Sequence, residues 1–214
     1  MKTLQRTITD VTRRLNNRLG ENGVVGWLLP YRGLAIPAKQ WDREYDSGTW
    51  ERLDTPGEVG RYGVIAACCR SMAPGPRILD VGCGEGVLHD YLIPAAQQEY
   101  TGLDISATAI SLARQQRNSG KFIVADSSEF ETNERFDAIV FNECLYYFDQ
   151  PTSEMARYAA MLNDNGIIVV SAYASPRTHR FWARLQRHFR HDEEIRLQNE
   201  RRGRALDNTA LSWR

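Results

Sequence analysis

A glycine-rich segment and a later acidic residue are the strongest chemical features of the sequence. Residues 80–86 read DVGCGEG, and Asp104 follows Asp80 by 24 positions. Glycines let a backbone turn sharply and approach a ligand closely. A carboxylate at the end of the next strand can accept hydrogen bonds from both hydroxyls of a ribose. Together the two features predict a site for a nucleoside-containing ligand, although Asp104 alone would also fit the N-terminus of a helix, where an acid interacts with the dipole.

The spacing of the glycines separates two classes of nucleotide ligand. Dinucleotide-binding proteins use the pattern G-x-G-x-x-G, in which a pyrophosphate lies at a helix N-terminus. Here Gly82, Gly84 and Gly86 give G-x-G-x-G, and the next residue is Val87. The spacing therefore disfavours an NAD-linked oxidoreductase, which is kept only as a distant alternative.

A parallel sheet is the element that would position these residues. Short apolar runs alternate with helical stretches along residues 78–170, which is the pattern of parallel strands joined by helices. Ligands on such sheets bind at the carboxyl ends of the strands. The polar residues that follow the first four runs are therefore expected to share one edge: Gly82 to Gly86, Asp104, Asp126, and Asn142 with Glu143. Two further strands are expected near residues 194–197 and 210–213.

The boundaries of three helices can be predicted from their capping residues. Ser106 is expected to cap one helix, and Pro151 to open another that continues through Leu162 and stops at Gly166. Thr55 is expected to cap a third helix, with Glu58 closing a capping box. The third helix precedes the sheet, and the other two lie between its strands.

The chain is predicted to have two parts, a helical extension or lid over residues 1–72 and a core domain over residues 73–214. The first forty residues carry an amphipathic pattern that fits a surface helix, a lid or a basic helix at a membrane surface. Trp41, Tyr45 and Trp50 fit either an aromatic lid over the site or ordinary packing.

Composition excludes several classes of function. Lys and Arg number 27, as do Asp and Glu, so no net charge draws the chain to nucleic acid or to an anionic membrane. The four cysteines form no CxxC pair, and the histidines show no metal-binding pattern, so no metal is expected. No apolar run is long enough to span a membrane. These features predict a cytoplasmic protein, either a monomer or a homodimer.

The motifs between Arg77 and Tyr173 resemble those of class I S-adenosylmethionine (SAM)-dependent methyltransferases. Residues 78–86 look like motif I of that family, and residues 103–106 look like its ribose-binding acidic motif. Residues 142–147 are similar to the strand-four segment of small-molecule members, including the nodulation N-methyltransferases. The resemblance implies a Rossmann-like α/β fold with a seven-stranded, mostly parallel sheet, one reversed edge strand, helices on both faces and an N-terminal helical extension.

The resemblance also implies roles for residues around the amino-acid end of SAM. Gly82, Gly84 and Gly86 would shape the turn beneath this end, and Asp80 would help to position it. Asn142 would lie near the sulfonium. Arg61 would either face the SAM carboxylate or, more simply, be exposed.

The adenosine end would be held by residues after the second and third strands. Asp104 would bind the ribose, and Ile105 would pack on the adenine. Asp126 would accept a hydrogen bond from the adenine amino group, with Ser127 beside it.

The implied reaction is methyl transfer from SAM to an oxygen or nitrogen atom of a small molecule such as a sugar, a polyketide or another metabolite, with S-adenosylhomocysteine (SAH) as product. Glu143 and Tyr147 are the candidate catalytic residues. A backbone-bonding role for Glu143 and core packing for Tyr147 are the alternatives. An RNA or protein methyltransferase and a SAM-binding protein without turnover are also considered. Nucleic acid is not expected as a partner, because the net charge is zero and no NPPY-type segment follows the fourth strand.

Overall fold

A seven-stranded sheet lies at the centre of the computed structural model, which describes residues 36–50, 55, 58–173, 175–197 and 208–213. The strands are β1 (Ile78–Val81), β2 (Tyr100–Asp104), β3 (Lys121–Val124), β4 (Phe136–Asn142), β5 (Leu162–Tyr173), β6 (His191–Leu197) and β7 (Asn208–Trp213). Their order across the sheet is β3-β2-β1-β4-β5-β7-β6. Strands β1 to β5 pair in parallel, whereas β7 pairs antiparallel with both β5 and β6.

The expectation of a mostly parallel Rossmann-like sheet is confirmed, with one correction. The parallel pairing extends over five strands rather than through the whole sheet. The resemblance implied a reversed strand at the edge of the sheet, but the reversed strand β7 lies between β5 and β6. Its backbone forms hydrogen bonds with both neighbours, so β6 is the outer strand.

Helices cover both faces of the sheet and bury one apolar cluster on each face. The helices are α1 (Ala38–Asp46), α2 (Val59–Arg70), α3 (Pro94–Gln98), α4 (Ala107–Gln116), α5 (Pro151–Ala159) and α6 (Pro176–Leu185), with short 3₁₀ helices at Val87–Tyr91 and Leu145–Tyr147. Ile65 of α2 and Ile110 of α4 pack on one face with Ile78. Met155 of α5 and Phe181 of α6 pack on the other face with Leu79. Because successive strand residues point to opposite faces, neighbouring Ile78 and Leu79 belong to different clusters.

Two of the three expected helix starts are found at the predicted residues, and the third is displaced by a few residues. The Ser106 side chain accepts a hydrogen bond of 3.1 Å from the backbone of Ala109 and caps α4. Helix α5 begins at Pro151 as expected. Helix α2 begins at Val59 rather than at Thr55, and Glu58 forms no capping box because its carboxylate pairs with Arg61.

The expected end of α5 at Gly166 is wrong. The helix ends at Ala159, and β5 already begins at Leu162. Leu162 pairs with Phe136, and the register then shifts before Ala138 pairs with Ile167. Pairing with β4 therefore draws these residues into the sheet and overrides their helical pattern.

A carboxylate of α1 connects the N-terminal extension to the start of α4. Asp42 of α1 accepts hydrogen bonds from the Ser106 hydroxyl at 2.7 Å and from the Thr108 backbone at 3.2 Å. The amphipathic pattern predicted before residue 36 lies outside the described residues, and the division at residues 72 and 73 stays a prediction. Within the described chain, no helix has both the length and the apolar character needed to cross a membrane.

Candidate functional site

The glycine loop after β1 turns through three left-handed residues. Gly82, Gly84 and Gly86 have φ angles of 71°, 56° and 81°, a conformation that glycine adopts without strain. The Leu103 carbonyl accepts hydrogen bonds from the backbones of Gly82 and Cys83 at 2.8 and 3.0 Å. These bonds hold the loop against the end of β2.

Side chains at all three of these glycines would collide with their surroundings, Gly86 on the side of the core. A Cβ at Gly82 would lie 2.9 Å from the Cys144 Cβ, and one at Gly84 would lie 2.5 Å from the Tyr45 hydroxyl oxygen. The loop therefore requires glycine for space as well as for backbone conformation.

The carboxylate of Asp104 completes the loop at the end of β2. Its Oδ2 accepts a hydrogen bond of 2.9 Å from the Gly84 backbone, and its Oδ1 accepts one of 2.8 Å from the Ser106 backbone. Burial raises the pKa of this carboxyl, and the nearby carboxylate of Asp42 raises it further. The hydrogen bonds from the Ser106 and Gly84 backbones act in the opposite direction and lower this pKa.

A cavity of about 580 Å³ opens beside the loop at the carboxyl ends of the strands. Helix α1 and the segment after β4 complete its walls. Most residues predicted from the sequence line this cavity: Gly82, Gly84, Asp104, Ile105, Asp126, Ser127, Asn142, Glu143 and Tyr147. The strand ends therefore do meet at one edge, as the alternation of strands and helices predicted.

Asp80 and Gly86 are the predicted site residues that do not line the cavity. Asp80 is buried beneath the loop, where its Oδ2 accepts a hydrogen bond of 2.6 Å from the Tyr100 hydroxyl. Its Oδ1 has no partner among the described residues, and burial raises the pKa of Asp80 to about 7. A Cβ at Gly86 would lie 2.6 Å from a ring carbon of Phe122, so this glycine faces the core.

Three lining residues after β3 and β4 differ in how their polar groups are used. Asp126 is exposed and accepts hydrogen bonds of 2.9 and 2.7 Å from the backbone and hydroxyl of Ser128. The carbonyl of Ser127 accepts a hydrogen bond of 2.9 Å from Tyr158. The Asn142 side chain accepts one of 2.8 Å from Ser171, which leaves its amide N–H₂ for other partners.

Glu143 lies in a network that joins the ends of β4 and β5. Its backbone has a φ of 57°, and its Oε2 accepts hydrogen bonds from the Tyr173 backbone at 2.8 Å and from the Tyr146 hydroxyl at 3.1 Å. Its Oε1 lies 3.6 Å from Nη1 of Arg61. Burial raises the pKa of Glu143, whereas the charge of Arg61 lowers it. The backbone-bonding alternative describes this arrangement, and a catalytic role for Glu143 stays a prediction.

Aromatic side chains form a continuous wall on the side of α1. The rings of Trp41 and Tyr147 meet edge to face with centroids 5.2 Å apart, and Trp50 lies 5.8 Å from Trp41. Tyr146 packs on Tyr147 at 4.7 Å. We call Trp41, Trp50 and Tyr147 the aromatic wall, because all three line the cavity.

Arg61 lines the cavity, so the simpler of its two sequence interpretations, an exposed side chain, is wrong. Only 6% of its side chain is exposed, and its Nη1 lies 2.8 Å from the carboxylate of Glu58. Its Nε is buried without a hydrogen-bond partner in the described part of the chain. Helical spacing could have indicated its burial. Arg61 lies four residues before the buried Ile65 and eight before the buried Cys69, so all three share one face of α2.

The sequence matches known proteins over the same region. The profile of the methyltransferase domain family covers residues 37–211. Nodulation protein S from Sinorhizobium fredii is 33% identical over 102 residues, which are 46% of this chain and 47% of that protein. Ubiquinone biosynthesis O-methyltransferase from Bradyrhizobium diazoefficiens is 32% identical over 148 residues, which are 64% of this chain and 57% of that protein. The chain thus spans about half the length of these curated relatives.

A solved structure has the same fold. The N-methyltransferase NodS from Bradyrhizobium japonicum WM9, in complex with SAH, superimposes with a TM-score of 0.67 at 23% identity. The match covers 83% of this chain and 97% of that chain. The resemblance inferred from the motifs is confirmed by the family match, and the expected cofactor SAM is the one whose product is bound in this neighbour.

Proposed function

Because the chain belongs to the methyltransferase domain family, we propose that its cavity binds SAM and that the methyl group passes to an oxygen or nitrogen atom of a small molecule. The observation that carries the proposal is that one cavity joins the glycine loop and Asp104 to the aromatic wall. The loop and the acid suit the two ends of SAM. The aromatic wall, which lines the same cavity, suits an organic acceptor.

The amino-acid end of SAM fits the glycine loop and Arg61. Gly82 and Gly84 line the cavity, and without side chains they allow a ligand to approach the backbone of the loop closely. The unpartnered Nε of Arg61 needs a buried acceptor, and the carboxylate of SAM would supply one. Asp80 and Gly86 act indirectly, from beneath the loop and from its core side.

The adenosine end fits the residues after β2 and β3. Each carboxylate oxygen has two lone pairs, and each oxygen of Asp104 accepts one backbone hydrogen bond. One acceptor position on each oxygen is therefore left, which matches the two hydroxyls of a ribose. We assign Ile105 to the adenine face, and Asp126 with Ser127 to the adenine amino edge.

The chemistry requires positioning more than activation. The sulfonium of SAM supplies a methyl group that is already reactive, so holding an acceptor in line can contribute several kcal/mol, on the order of 7 or more in favourable cases. We assign Asn142 to the sulfonium region and Tyr147 to the acceptor. Glu143 would act as a base only for an acceptor that keeps its proton near neutral pH.

Release of SAH from SAM in the presence of fractionated cell extract tests the proposal. We expect release with the small-molecule fraction, and we expect nuclease or protease treatment of that fraction to leave it unchanged. Release that disappears after either treatment would indicate a macromolecular acceptor. Binding of SAM without SAH release in any fraction would indicate a SAM-binding protein without turnover. The Asp104→Ala variant controls for contaminating activity.

A further inference from the structure

The lining of the cavity as a whole combines aromatic rings with an excess of negative charge. Six carboxylates belong to the described lining: Glu58, Asp104, Asp126, Glu143, Asp149 and Glu154. The guanidinium of Arg61 is the one cationic group of that lining, and it pairs with Glu58. An apolar cavity whose charges are this unequal favours a cationic ligand over a neutral or anionic one.

Most of these carboxylates already have a partner or an assigned role. Asp104 and Asp126 are assigned to the cofactor, and Glu58 and Glu143 face Arg61. SAM carries one net positive charge, from a sulfonium, an ammonium and a carboxylate. Glu154 is already paired with Arg157 at 2.9 Å, whereas Asp149 is exposed and forms no hydrogen bond or ion pair within the described chain. The carboxylate of Asp149 is therefore available to a second ligand beside the cofactor.

The aromatic wall lines the same cavity as this carboxylate. Tyr147 is two residues before Asp149, and its ring meets Trp41 at 5.2 Å. Tryptophan and tyrosine faces attract cations through their quadrupole, most strongly where water is excluded. Trp41 and Tyr147 are partly buried, so this attraction is less screened than at an open surface.

We propose that the acceptor is an amine, which the cavity recognises as its ammonium ion between the aromatic wall and the carboxylate of Asp149. This inference rests on the proposed function and names its substrate class. It selects nitrogen over oxygen as the atom that is methylated, and it makes Trp41, Tyr147 and Asp149 specificity-determining residues.

The reaction balances as follows. The bound ammonium first loses a proton to water at the open side of the cavity, a loss that the neighbouring sulfonium charge favours. The neutral nitrogen then attacks the methyl carbon. The N–C bond forms as the C–S bond breaks, the bond electrons remain on sulfur, and an N-methylammonium product leaves with neutral SAH.

Three probes of similar size but different charge test this inference: benzylamine, benzyl alcohol and benzoate. Each is titrated into the purified protein with and without saturating SAH, and SAH binding is measured in the same series. We expect benzylamine to bind about tenfold more tightly than benzyl alcohol, with benzoate weakest. Equal affinities, a preference for benzoate or no binding by any probe would overturn the amine assignment. If the protein binds SAH but gives one of these probe results, only the amine assignment fails and the proposed function stands. If the folded protein does not bind SAH, the proposed function and the amine assignment both fail.

Two substitutions assign the selectivity to the named residues. Asp149→Asn is expected to weaken benzylamine binding about two- to fivefold and to leave benzyl alcohol unaffected. Trp41→Leu is expected to weaken both probes, and benzylamine more. Asp164→Asn, which replaces an exposed acid at the far end of β5, is the matched control and should change neither. Unchanged benzylamine selectivity in both Asp149→Asn and Trp41→Leu would contradict the inference.

Discussion

The carboxylate of Asp104 accepts a hydrogen bond of 2.9 Å from the backbone of Gly84, across 20 residues of sequence. The same side chain accepts a second bond from the Ser106 backbone. The loop after β1 and the turn after β2 are therefore one hydrogen-bonded unit. A change in either partner is expected to disturb the position of the other.

Gly84→Ala should reduce both stability and SAH affinity. The new Cβ would be placed at a positive φ and 2.5 Å from the Tyr45 hydroxyl oxygen, and the backbone strain alone is about 1–2 kcal/mol. The free energy of unfolding is measured with urea, and SAH affinity by calorimetry. Gly63→Ala is the control, because Gly63 lies in α2 with open space around it. This variant should be about 0.5–1 kcal/mol more stable than the native protein. A Gly84→Ala protein with native stability and affinity would refute this account of the loop.

Arg61→Gln should weaken ligands that carry the amino-acid end of SAM. We expect SAH affinity to fall about tenfold or more, because a charge-assisted hydrogen bond contributes about 1.5–3 kcal/mol. Affinity for 5′-methylthioadenosine, which lacks the carboxylate, should change little. Arg70→Gln on the exposed end of the same helix is the matched control. Equal losses for both ligands would remove Arg61 from the carboxylate site.

Asp42 and Ser106 should be energetically coupled. Ser106→Ala removes the α4 cap and the 2.7 Å bond to Asp42, so it should lower the free energy of unfolding by about 1–2 kcal/mol. A double-mutant cycle with Asp42→Ala should give a coupling energy of about 1 kcal/mol. Ser111→Ala, on the exposed side of α4, should show no coupling with Asp42→Ala. Additive effects at Asp42 and Ser106 would mean that the contact does not hold α1 to the core.

Asp80 should make stability fall as the pH rises toward neutrality. Burial raises its pKa to about 7, whereas an unfolded Asp titrates near about 3.9. Between these values the folded chain keeps a proton that the unfolded chain has lost, so this group's contribution to the free energy of unfolding decreases with pH. Relative to the native protein, Asp80→Asn should therefore gain stability from about pH 4 to about pH 7 and change little above that.

Tyr100→Phe provides the second arm of that pH experiment. The Tyr100 hydroxyl donates to Asp80 and favours its charged form, so its removal should extend the decline in stability to higher pH. Urea unfolding at several pH values measures both variants. A stability difference between native protein and Asp80→Asn that is constant with pH would rule out this titration.

The positions of the strand-end residues could be predicted because their signals are local. Apolar runs interrupted by glycine or an acid mark the ends of buried parallel strands. Asp104, Asp126 and Asn142 were expected at one sheet edge on this basis, and all three line the cavity. Ser106 was also predictable, since a cap needs only its own helix.

The remaining features depend on contacts between distant residues. Arg61 is buried because Glu58 and Glu143 surround its charge. The pair with Glu58 has the local i, i+3 spacing, but no local rule shows the contact with Glu143 after β4. Asp42 contacts a helix 64 residues away in sequence. The start of β5 at Leu162 and the inner position of β7 are set by strand pairing, which overrides the local helical and turn patterns.

Calorimetric titration of SAH into the purified protein tests the central claim most directly. NAD is the control ligand, circular dichroism verifies folding, and Asp104→Ala is compared with the matched variant Asp164→Ala. We predict saturable SAH binding by the native protein and by Asp164→Ala, an affinity at least about tenfold lower in Asp104→Ala, and no binding of NAD. Absence of SAH binding by folded native protein, equal binding by Asp104→Ala, or preferential binding of NAD would contradict the account.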